Sequence, residues 1–214
     1  MRYEYLLFDL DGTLTDPGEG ITNSVMNALA KRGIAVSDRS ELYCFIGPPL
    51  SESFSKYFGF DFEESLRCVE DYREYFGVRG LFENEVYSGI YELLSELRLR
   101  GHKIVLATSK PEKYAKQILD HFNLTQYFAF VAGATMDESR NKKADVIRYA
   151  LDSFGIKDLK NAIMIGDREQ DVLGAHKCGL DSIGVLYGYG SREEHESAGA
   201  TYIAETVNDI LNLV

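Results

Sequence analysis

Cysteine is scarce in this chain of 214 residues. The three cysteines are Cys44, Cys68 and Cys178, so their count is odd and no C-x-x-C spacing occurs. Disulfide frameworks and structural zinc sites need paired or closely spaced cysteines. The sequence therefore predicts reduced thiols with a structural role, and no disulfide or zinc framework.

Basic residues are outnumbered, because 23 Lys and Arg against 34 Asp and Glu give a formal net charge of −11. Nucleic acids and anionic membranes are polyanions that bind clustered basic side chains, so we expect neither as a partner. Long apolar runs are also missing, whereas a membrane-spanning helix needs about 20 apolar residues. Residues 1–9 lack the pattern of a signal peptide. These absences predict a cytoplasmic protein in which any positively charged site is local.

Short apolar runs alternate with segments of helical spacing through most of the chain. Nearly continuous apolar runs that end in Gly or polar residues are typical of parallel strands buried on both faces. The predicted strands are YLLFDL near the start and residues 103–107, 129–133, 162–166, 182–187 and 201–204. Two of the intervening apolar stripes end at Gly101 and Gly155, as helices commonly do. This alternation predicts an α/β fold with a doubly wound parallel sheet.

The interval from Asp16 to about Leu81 breaks this alternation. It contains helical patterns over residues 21–31, 50–58 and 62–76 but no convincing strand. A helical block of this length is too long for an ordinary crossover and is typical of an inserted subdomain. We expect residues 1–16 and 82–214 to form the α/β core and residues 17–81 to form a helical cap.

Charged and small polar residues follow several of the predicted strands. The segments are Asp9-Leu10-Asp11-Gly12-Thr13 after the first strand, Thr108-Ser109-Lys110 after the second, Gly166 to Asp171 at the end of the fourth, and Lys142-Lys143 ahead of the fourth. Open α/β sheets bind their ligands beyond the carboxyl ends of the strands. We therefore expect these side chains to converge on one site.

Asp9 and Asp11 need a cation or a hydrogen-bond network if both are to stay ionised at a strand end. Mg²⁺ takes hard oxygen ligands, and Asp167 would supply a second carboxylate from another strand end. Gly12 allows the backbone to turn sharply and lets amides point at an anion. The three aspartates with Gly12 therefore predict a site for Mg²⁺ and an anionic group.

Phosphoryl transfer would use each of these groups, because it needs an in-line nucleophile, a cation on the phosphoryl oxygens and donors that follow the developing charge. A carboxylate is an accepted nucleophile, so Asp9 would form an acyl phosphate. Asp11 would give a proton to the leaving oxygen and later take one from water. The other groups are a hydroxyl, an amide and a fixed positive charge, supplied by Thr108, Ser109 and either Lys142 or Lys143.

Each signal also has a purely structural interpretation. D-x-D-G alone is common as an Asx-turn, and Thr-Ser after a strand is common as a helix N-cap. A lysine pair at a helix start is usually solvated, and Asp167 with Asp171 would favourably charge a first helical turn. The histidines show no ligand-like spacing and are interpreted as surface or packing residues; they are His102, His121, His176 and His195.

In this order, the motifs resemble those of the haloacid dehalogenase (HAD) superfamily of Mg²⁺-dependent phosphatases. The matching motifs are D-x-D-G-T at 9–13, the strand ending in Thr108-Ser109, the lysine ahead of the fourth strand and G-D-x-x-x-D at 166–171. The helical block is similar to the inserted cap of the superfamily. FDLDGTLTD, GPPL and ATSKP are similar to its phosphoglycolate phosphatase-like branch. The resemblance implies a Rossmann-like core, Mg²⁺ as cofactor and phosphatase activity.

By position, the resemblance also implies residue roles. Asp9 would be the nucleophile and a Mg²⁺ ligand, and Asp167 would be a further ligand. Asp11 would be the acid/base and would bind the metal through its backbone carbonyl. Asp171 would support the metal's water shell or the lysine. The phosphoryl group would be bound by Thr108, Ser109, Gly12 and the lysine.

Lys143 is the preferred lysine because the apolar helix stripe begins shortly after it, at Val146. Lys142 stays the alternative. Arg168 departs from the small residue that many relatives have there, and would either form an ion pair or face the site.

Substrate selection would fall to the cap, where Phe45-Ile46-Gly47-Pro48-Pro49 forms a rigid turn. Gly47 and Pro48 are the predicted substrate contacts in that turn. Arg79 or Lys56 would bind a second anionic group, and the sequence does not choose between them.

We expect a cytoplasmic Mg²⁺-dependent phosphatase that hydrolyses a small phosphorylated metabolite, a phosphoglycolate-like phosphomonoester, through an aspartyl-phosphate. Three alternatives stay open: a 5′-nucleotidase, a β-phosphoglucomutase-like phosphotransferase, and a non-catalytic binding protein with the same fold. The sequence leaves open whether the protein is a monomer or a homodimer.

Overall fold

Six strands form one parallel sheet in the computed structural model, which describes residues 2–214. Met1, the first residue of the segment searched for a signal peptide, lies outside the described residues. The strand order is β5-β4-β1-β6-β7-β8. These strands are β1 Tyr5–Phe8, β4 Lys103–Pro111, β5 Phe130–Ala134, β6 Ala162–Gly166, β7 Asp181–Val185 and β8 Tyr202–Ala204. The predicted doubly wound parallel sheet is confirmed.

β1 occupies the middle of this sheet and sets the place of the site. Phe8 pairs with Leu106 of β4 on one side and with Ile165 of β6 on the other. From β1 the chain builds outward through β4 and β5, and then returns to the opposite side of β1 at β6. Ligand sites of open α/β sheets lie where the strand order reverses in this way. The residues after β1, β4 and β6 therefore meet at one edge of the sheet.

Six helices accompany the sheet. They are α4 Ile90–Leu99, α5 Glu112–His121, α6 Lys143–Phe154, α7 Glu169–Lys177, α8 Arg192–Ala198 and α9 Ile210–Leu213. One apolar cluster joins β1 and β4–β6 to α6 and α7, through buried residues such as Leu7, Val105, Ile147 and Ala175. α6 ends where Gly155 adopts a left-handed conformation at φ 76°, as predicted for that stripe. The packing of α6 and α7 on the sheet fixes their first turns next to the strand ends.

Asp16–Glu85 forms a second compact unit, separate from the unit made by the chain up to Thr15 and by Val86–Val214. Its helices are α1 Gly18–Ala30, α2 Leu50–Phe58 and α3 Phe62–Tyr75. The sequence predicts residues 17–81 for this unit, whereas the structure gives Asp16–Glu85. Asp61 caps α3 by accepting a hydrogen bond from the Glu64 amide at 2.8 Å. Arg32, just beyond the end of α1, forms ion pairs with Glu64 at 2.5 Å and Asp71 at 2.7 Å on α3. Charge pairs thus reinforce the packing of α1 on α3.

Two strands near the ends of this unit were not predicted. β2 Thr15–Asp16 and β3 Glu85–Val86 form a separate two-stranded sheet. Each has only two residues, which is too short for a period-two pattern to be read in the sequence. A π-helical turn at Phe76–Gly80 also follows α3, beyond the helical pattern predicted for residues 62–76.

Within residues 2–214, no helix is both long enough and apolar enough to cross a membrane. The cytoplasmic location stays a prediction.

Gly20 of α1 packs tightly against Gly80, because a Cβ at Gly20 would overlap the Gly80 carbonyl oxygen. Gly20→Ala should therefore lower the free energy of unfolding by about 1–3 kcal/mol, as overpacking does. Chemical denaturation measures the change, and Gly77→Ala, at an exposed position in the same unit, is the control. Equal stability of the Gly20→Ala variant and the wild type would show that the contact carries no packing constraint.

Candidate active site

Asp9 is the first residue beyond β1, and its side chain is only 6% exposed. Its amide continues the sheet by donating to the Ile165 carbonyl at 2.9 Å. Its Oδ1 accepts the Leu10 amide at 2.8 Å and lies 2.8 Å from Lys143 Nζ. A buried carboxylate is stable only when it is paired and hydrogen-bonded. The fold thus fixes the orientation of this carboxylate before any ligand arrives.

Lys143 is the first residue of α6 and is buried, whereas Lys142 is the exposed N-cap. Its Nζ lies 2.8 Å from Asp9 Oδ1 and 2.8 Å from Asp171 Oδ1, and it donates to the Ala107 carbonyl at 3.1 Å. Burial acts to lower the pKa of Lys143, but the charges of Asp171 and Asp9 outweigh it and raise the pKa. The structure therefore brings Lys143, and not Lys142, to the carboxylates as a permanent positive charge.

Asp167 follows β6 and is completely buried. Its Oδ2 accepts the Tyr189 amide at 2.9 Å, while its Oδ1 has no hydrogen-bond partner. Three glycines leave room for it: a Cβ at Gly12 or Gly188 would press on the Asp167 side chain, and a Cβ at Gly190 would overlap its carbonyl oxygen. Burial, with the charges of Asp171 and Asp9, raises the pKa of Asp167 well above its ordinary value. A buried carboxylate oxygen without a hydrogen-bond partner is suited to bind a cation.

The amide of Gly12 forms a hydrogen bond within its own loop. It donates to the Thr15 carbonyl at 2.8 Å within the loop. Gly12 has φ +77°, a conformation that favours glycine, and its missing Cβ makes space for Asp167. In this structure Gly12 supplies space and a turn, and its predicted contact with a phosphoryl group stays a prediction.

Asp171 lies in the first turn of α7 and is almost fully buried. Its Oδ2 accepts the Arg168 amide at 3.1 Å, so it also caps the helix. Burial raises the pKa of Asp171 to about 6, although Lys143 acts in the opposite direction. The Arg168 guanidinium turns to Glu194, with Nε 2.9 Å from Oε1. Arg168 therefore forms one of the two contacts expected from the sequence, an ion pair.

Asp9, Asp167 and Asp171 form a buried group in which one oxygen from each lies within 4.8 Å of the others. Hard oxygen donors of this kind suit Mg²⁺, which usually keeps waters and one substrate oxygen as further ligands. The residues present therefore fit the expected cofactor. Asp11, predicted as a metal residue, does not bring its carboxylate into this group. A contact through its backbone carbonyl, as the resemblance implied, stays a prediction.

The carboxylate of Asp11 instead pairs with Lys110, whose Nζ lies 2.5 Å from Oδ2. Both side chains are buried. Burial raises the pKa of Asp11, and Lys110 partly counteracts that rise. The sequence placed Lys110 in a strand-end motif but gave it no role. Its position directly after Thr108-Ser109 was the available signal.

Thr108 and Ser109 lie inside β4, which continues to Pro111. α5 begins at Glu112 with Pro111 as its N-cap, so the alternative that Thr108-Ser109 is a helix cap is excluded. Thr108 is buried, and its Oγ1 accepts the Lys110 amide at 3.2 Å. The hydroxyl proton of Thr108 is thus left for another acceptor. The role of the Ser109 amide stays a prediction.

The predicted substrate contacts Gly47 and Pro48 lie in the Asp16–Glu85 unit, between a 3₁₀ turn at Arg39–Phe45 and α2. Gly47 has φ +103°, which explains glycine at this turn. Lys56 lies over the ring of Tyr57, 5.0 Å from its centre. The binding roles of these residues and of Arg79 stay predictions.

The cysteines and histidines agree with the sequence interpretation. Cys44, Cys68 and Cys178 are free thiols. His102 and His195 are buried, and each contacts a backbone carbonyl, that of Tyr3 at 2.8 Å and that of Val185 at 3.2 Å. Burial lowers the pKa of both imidazoles.

Residues 6–185 match the haloacid dehalogenase-like hydrolase family, a span that contains every core residue of the site. The chain belongs to this family. The superfamily predicted from the sequence is thus confirmed, and the protein is an enzyme of the HAD hydrolase type.

Individual relatives of this hydrolase cover nearly its whole length. A 5′-nucleotidase of Pseudomonas aeruginosa is 48% identical over 91% of this chain and 87% of its own. The tyrosine-protein kinase PtkA of Mycobacterium tuberculosis is 36% identical over 97% of this chain and 71% of its own. A solved structure described as a predicted phosphatase from Clostridium acetobutylicum is 52% identical, with a TM-score of 0.97, and covers 100% of this chain and 98% of its own.

Asp167→Asn tests the cation site. Because the pKa of Asp167 is raised in the fold, the metal-free hydrolase should lose stability as pH rises from the ordinary Asp range through that raised pKa. With a chelator at about pH 8, Asp167→Asn should raise the free energy of unfolding by about 1 kcal/mol or more, and this gain should shrink at about pH 5. Thermal denaturation at both pH values measures it.

Added Mg²⁺ should reverse the order, because a bound cation stabilises the wild type by mass action. Asp152→Asn, an exposed substitution on α6, is the control and should respond to Mg²⁺ as the wild type does. The same Mg²⁺ shift in Asp167→Asn as in the wild type would contradict a cation site at Asp167.

Proposed function

We propose that this hydrolase is a cytoplasmic, Mg²⁺-dependent phosphatase that cleaves a small phosphorylated metabolite through an aspartyl-phosphate on Asp9. The observation that carries the proposal is the buried group of Asp9, Asp167 and Asp171 beside Lys143. It combines a fixed carboxylate, an unpartnered carboxylate oxygen and one ammonium group. Phosphoryl transfer needs this combination of nucleophile and positive charge.

Asp9 is the nucleophile in the first step. A carboxylate oxygen of Asp9 attacks phosphorus, and the bond from phosphorus to the leaving oxygen breaks. The electron pair of that bond stays on the leaving oxygen, which takes a proton from the carboxyl group of Asp11. Asp9 Oδ1 is held by the Leu10 amide and Lys143, so the carboxylate does not have to be reoriented for attack.

Water completes the cycle in the second step. Asp11, now ionised, removes a proton from water, whose oxygen attacks the phosphorus of the aspartyl-phosphate. The bond from phosphorus to Asp9 breaks, and inorganic phosphate leaves with Asp9 restored. The same carboxyl group thus serves first as acid and then as base.

Positive charge offsets the charge of the phosphoryl oxygens throughout. Lys143 supplies it from α6, and the Thr108 hydroxyl donates a hydrogen bond from β4. Asp9 and Asp167 would hold Mg²⁺, with Asp171 in support, and the bound cation would offset the negative charge of the carboxylates and of the phosphoryl oxygens. Gly47 and Pro48 would contact the part of the substrate that departs. Neither nucleic acid nor a membrane is part of the proposal.

Asp9→Asn should reduce turnover of 4-nitrophenyl phosphate by at least about 1,000-fold, because an amide does not form the acyl phosphate. The release of 4-nitrophenolate measures this turnover, and chelation of Mg²⁺ should abolish the turnover by the wild type. Asp152→Asn should stay active. Full activity of Asp9→Asn would exclude Asp9 as the nucleophile.

A 5′-nucleotidase is the second candidate, and the relative from Pseudomonas aeruginosa favours it at 48% identity. A panel of phosphoglycolate, nucleoside 5′-monophosphates, sugar phosphates and pyrophosphate, ranked by kcat/KM, separates the candidates. We expect the kcat/KM of the best phosphomonoester to exceed the kcat/KM of pyrophosphate by about tenfold or more.

The same panel tests the alternatives from the sequence. A nucleoside 5′-monophosphate ranked first would establish the nucleotidase. Movement of phosphate between positions of a sugar, with little free phosphate, would establish a phosphotransferase. No turnover of any compound with any divalent metal would leave a binding protein.

A further inference from the structure

Lys110 and Asp11 form a further buried ion pair, separate from the group of Asp9, Asp167 and Asp171. Nζ and Oδ2 lie 2.5 Å apart, and the side chains are only 5% and 11% exposed. Desolvation makes such a pair a weak source of stability, and an apolar pair of similar volume often stabilises a fold as well or better. Its presence next to a reacting group therefore points to a task other than stability.

An irregularity in β4 directs Lys110 to this position. The pairing of β4 with β5 shifts register between Thr108 and Pro111. The Lys110 amide donates to Thr108 Oγ1 at 3.2 Å instead of continuing the ladder. Irregularities of this kind re-aim side chains next to active sites. Lys110 thereby reaches Asp11, a residue that lies 99 positions earlier in the chain.

The two lysines of the site separate the two aspartates of D-x-D-G. Asp9 pairs with Lys143 and belongs to the proposed cation site, together with Asp167 and Asp171. Asp11 pairs with Lys110, and its carboxylate stays outside that group. Its second oxygen, Oδ1, is buried without a partner. Lys110 thus holds one oxygen of Asp11 and leaves the other, buried oxygen without a hydrogen-bond partner.

We propose that Lys110 is a positioning residue, which holds the Asp11 carboxylate apart from the cation site and oriented toward the leaving oxygen. This inference rests on the proposed function, in which Asp11 exchanges protons with the leaving group and with water. Lys110 does not touch the substrate and acts only through Asp11.

The leaving group provides the test. Phenolate is more basic than 4-nitrophenolate, so its departure depends more on a proton from Asp11. Lys110→Met should lower the single-turnover rates of both substrates unequally. The fold-loss for phenyl phosphate should exceed the fold-loss for 4-nitrophenyl phosphate by about tenfold or more. Single-turnover rates, with enzyme in excess and saturating Mg²⁺, isolate the step in which the phenol departs. Lys116→Met, an exposed lysine of α5, should leave both rates unchanged.

A double-mutant cycle shows whether Lys110 acts through Asp11. In an Asp11→Asn background, Lys110→Met should change the ratio of the two rates by less than about twofold, because the group that it positions has lost its function. Lys110→Gln keeps a hydrogen-bond donor, so it should change the ratio of the two single-turnover rates less than Lys110→Met does. If circular dichroism shows that Lys110→Met is unfolded, Lys110→Gln replaces it in the comparison of the two substrates.

Equal losses on both substrates, or a full effect of Lys110→Met in the Asp11→Asn background, would overturn the positioning role while the phosphatase stands. Absence of turnover in the wild type would overturn the proposed function and this inference with it.

Discussion

A single buried ammonium group, that of Lys143, holds the candidate site together. It contacts Asp9 beyond β1, Asp171 in the first turn of α7 and the Ala107 carbonyl of β4, while its own backbone starts α6. Four elements that are distant along the chain thus share one charge. Removing one partner from a buried ion pair destabilises a protein by about 3–5 kcal/mol, because the other charge is left uncompensated. The ammonium that would later stabilise a phosphoryl group is therefore also required for the carboxylates to be assembled.

The sheet explains why these groups can meet at all. β1 lies between β4 and β6, so the residues after these three strands emerge side by side. The middle of each of these strands is buried and apolar, and the polar groups of the site lie at or just beyond the carboxyl ends of the strands. Sequence and topology thus concentrate opposite charges in a small volume of low polarity. Charges interact more strongly there than at a solvated surface. Two lysines therefore give the aspartates different partners: Lys143 pairs with Asp9 and Asp171, and Lys110 pairs with Asp11.

Much of this could be predicted from the sequence because the relevant signals are local. Buried parallel strands are short apolar runs, and β6 was predicted with its observed bounds, Ala162–Gly166. Asp9, Asp167 and Lys143 stand directly at strand or helix ends, where topology fixes their meeting point. Lys110 was missed because its direction depends on a register shift between β4 and β5, which no pattern within one strand reveals. The partner of Arg168 was left open for a similar reason, since Glu194 lies on another helix.

The glycines around Asp167 restrict how this site can change. Gly12 lies in the loop after β1, whereas Gly188 and Gly190 share the loop between β7 and α8, and none of the three leaves room for even a methyl group next to that aspartate. The place of Asp167 is thus set by exclusion as much as by hydrogen bonds. Substitutions at the three positions all press on Asp167, either on its side chain or on its carbonyl oxygen, so their effects are not independent, and a change tolerated at one position narrows what the others accept. In evolution or in a mutational library, the three glycines form one coupled unit, and new activities arise more readily from residues elsewhere.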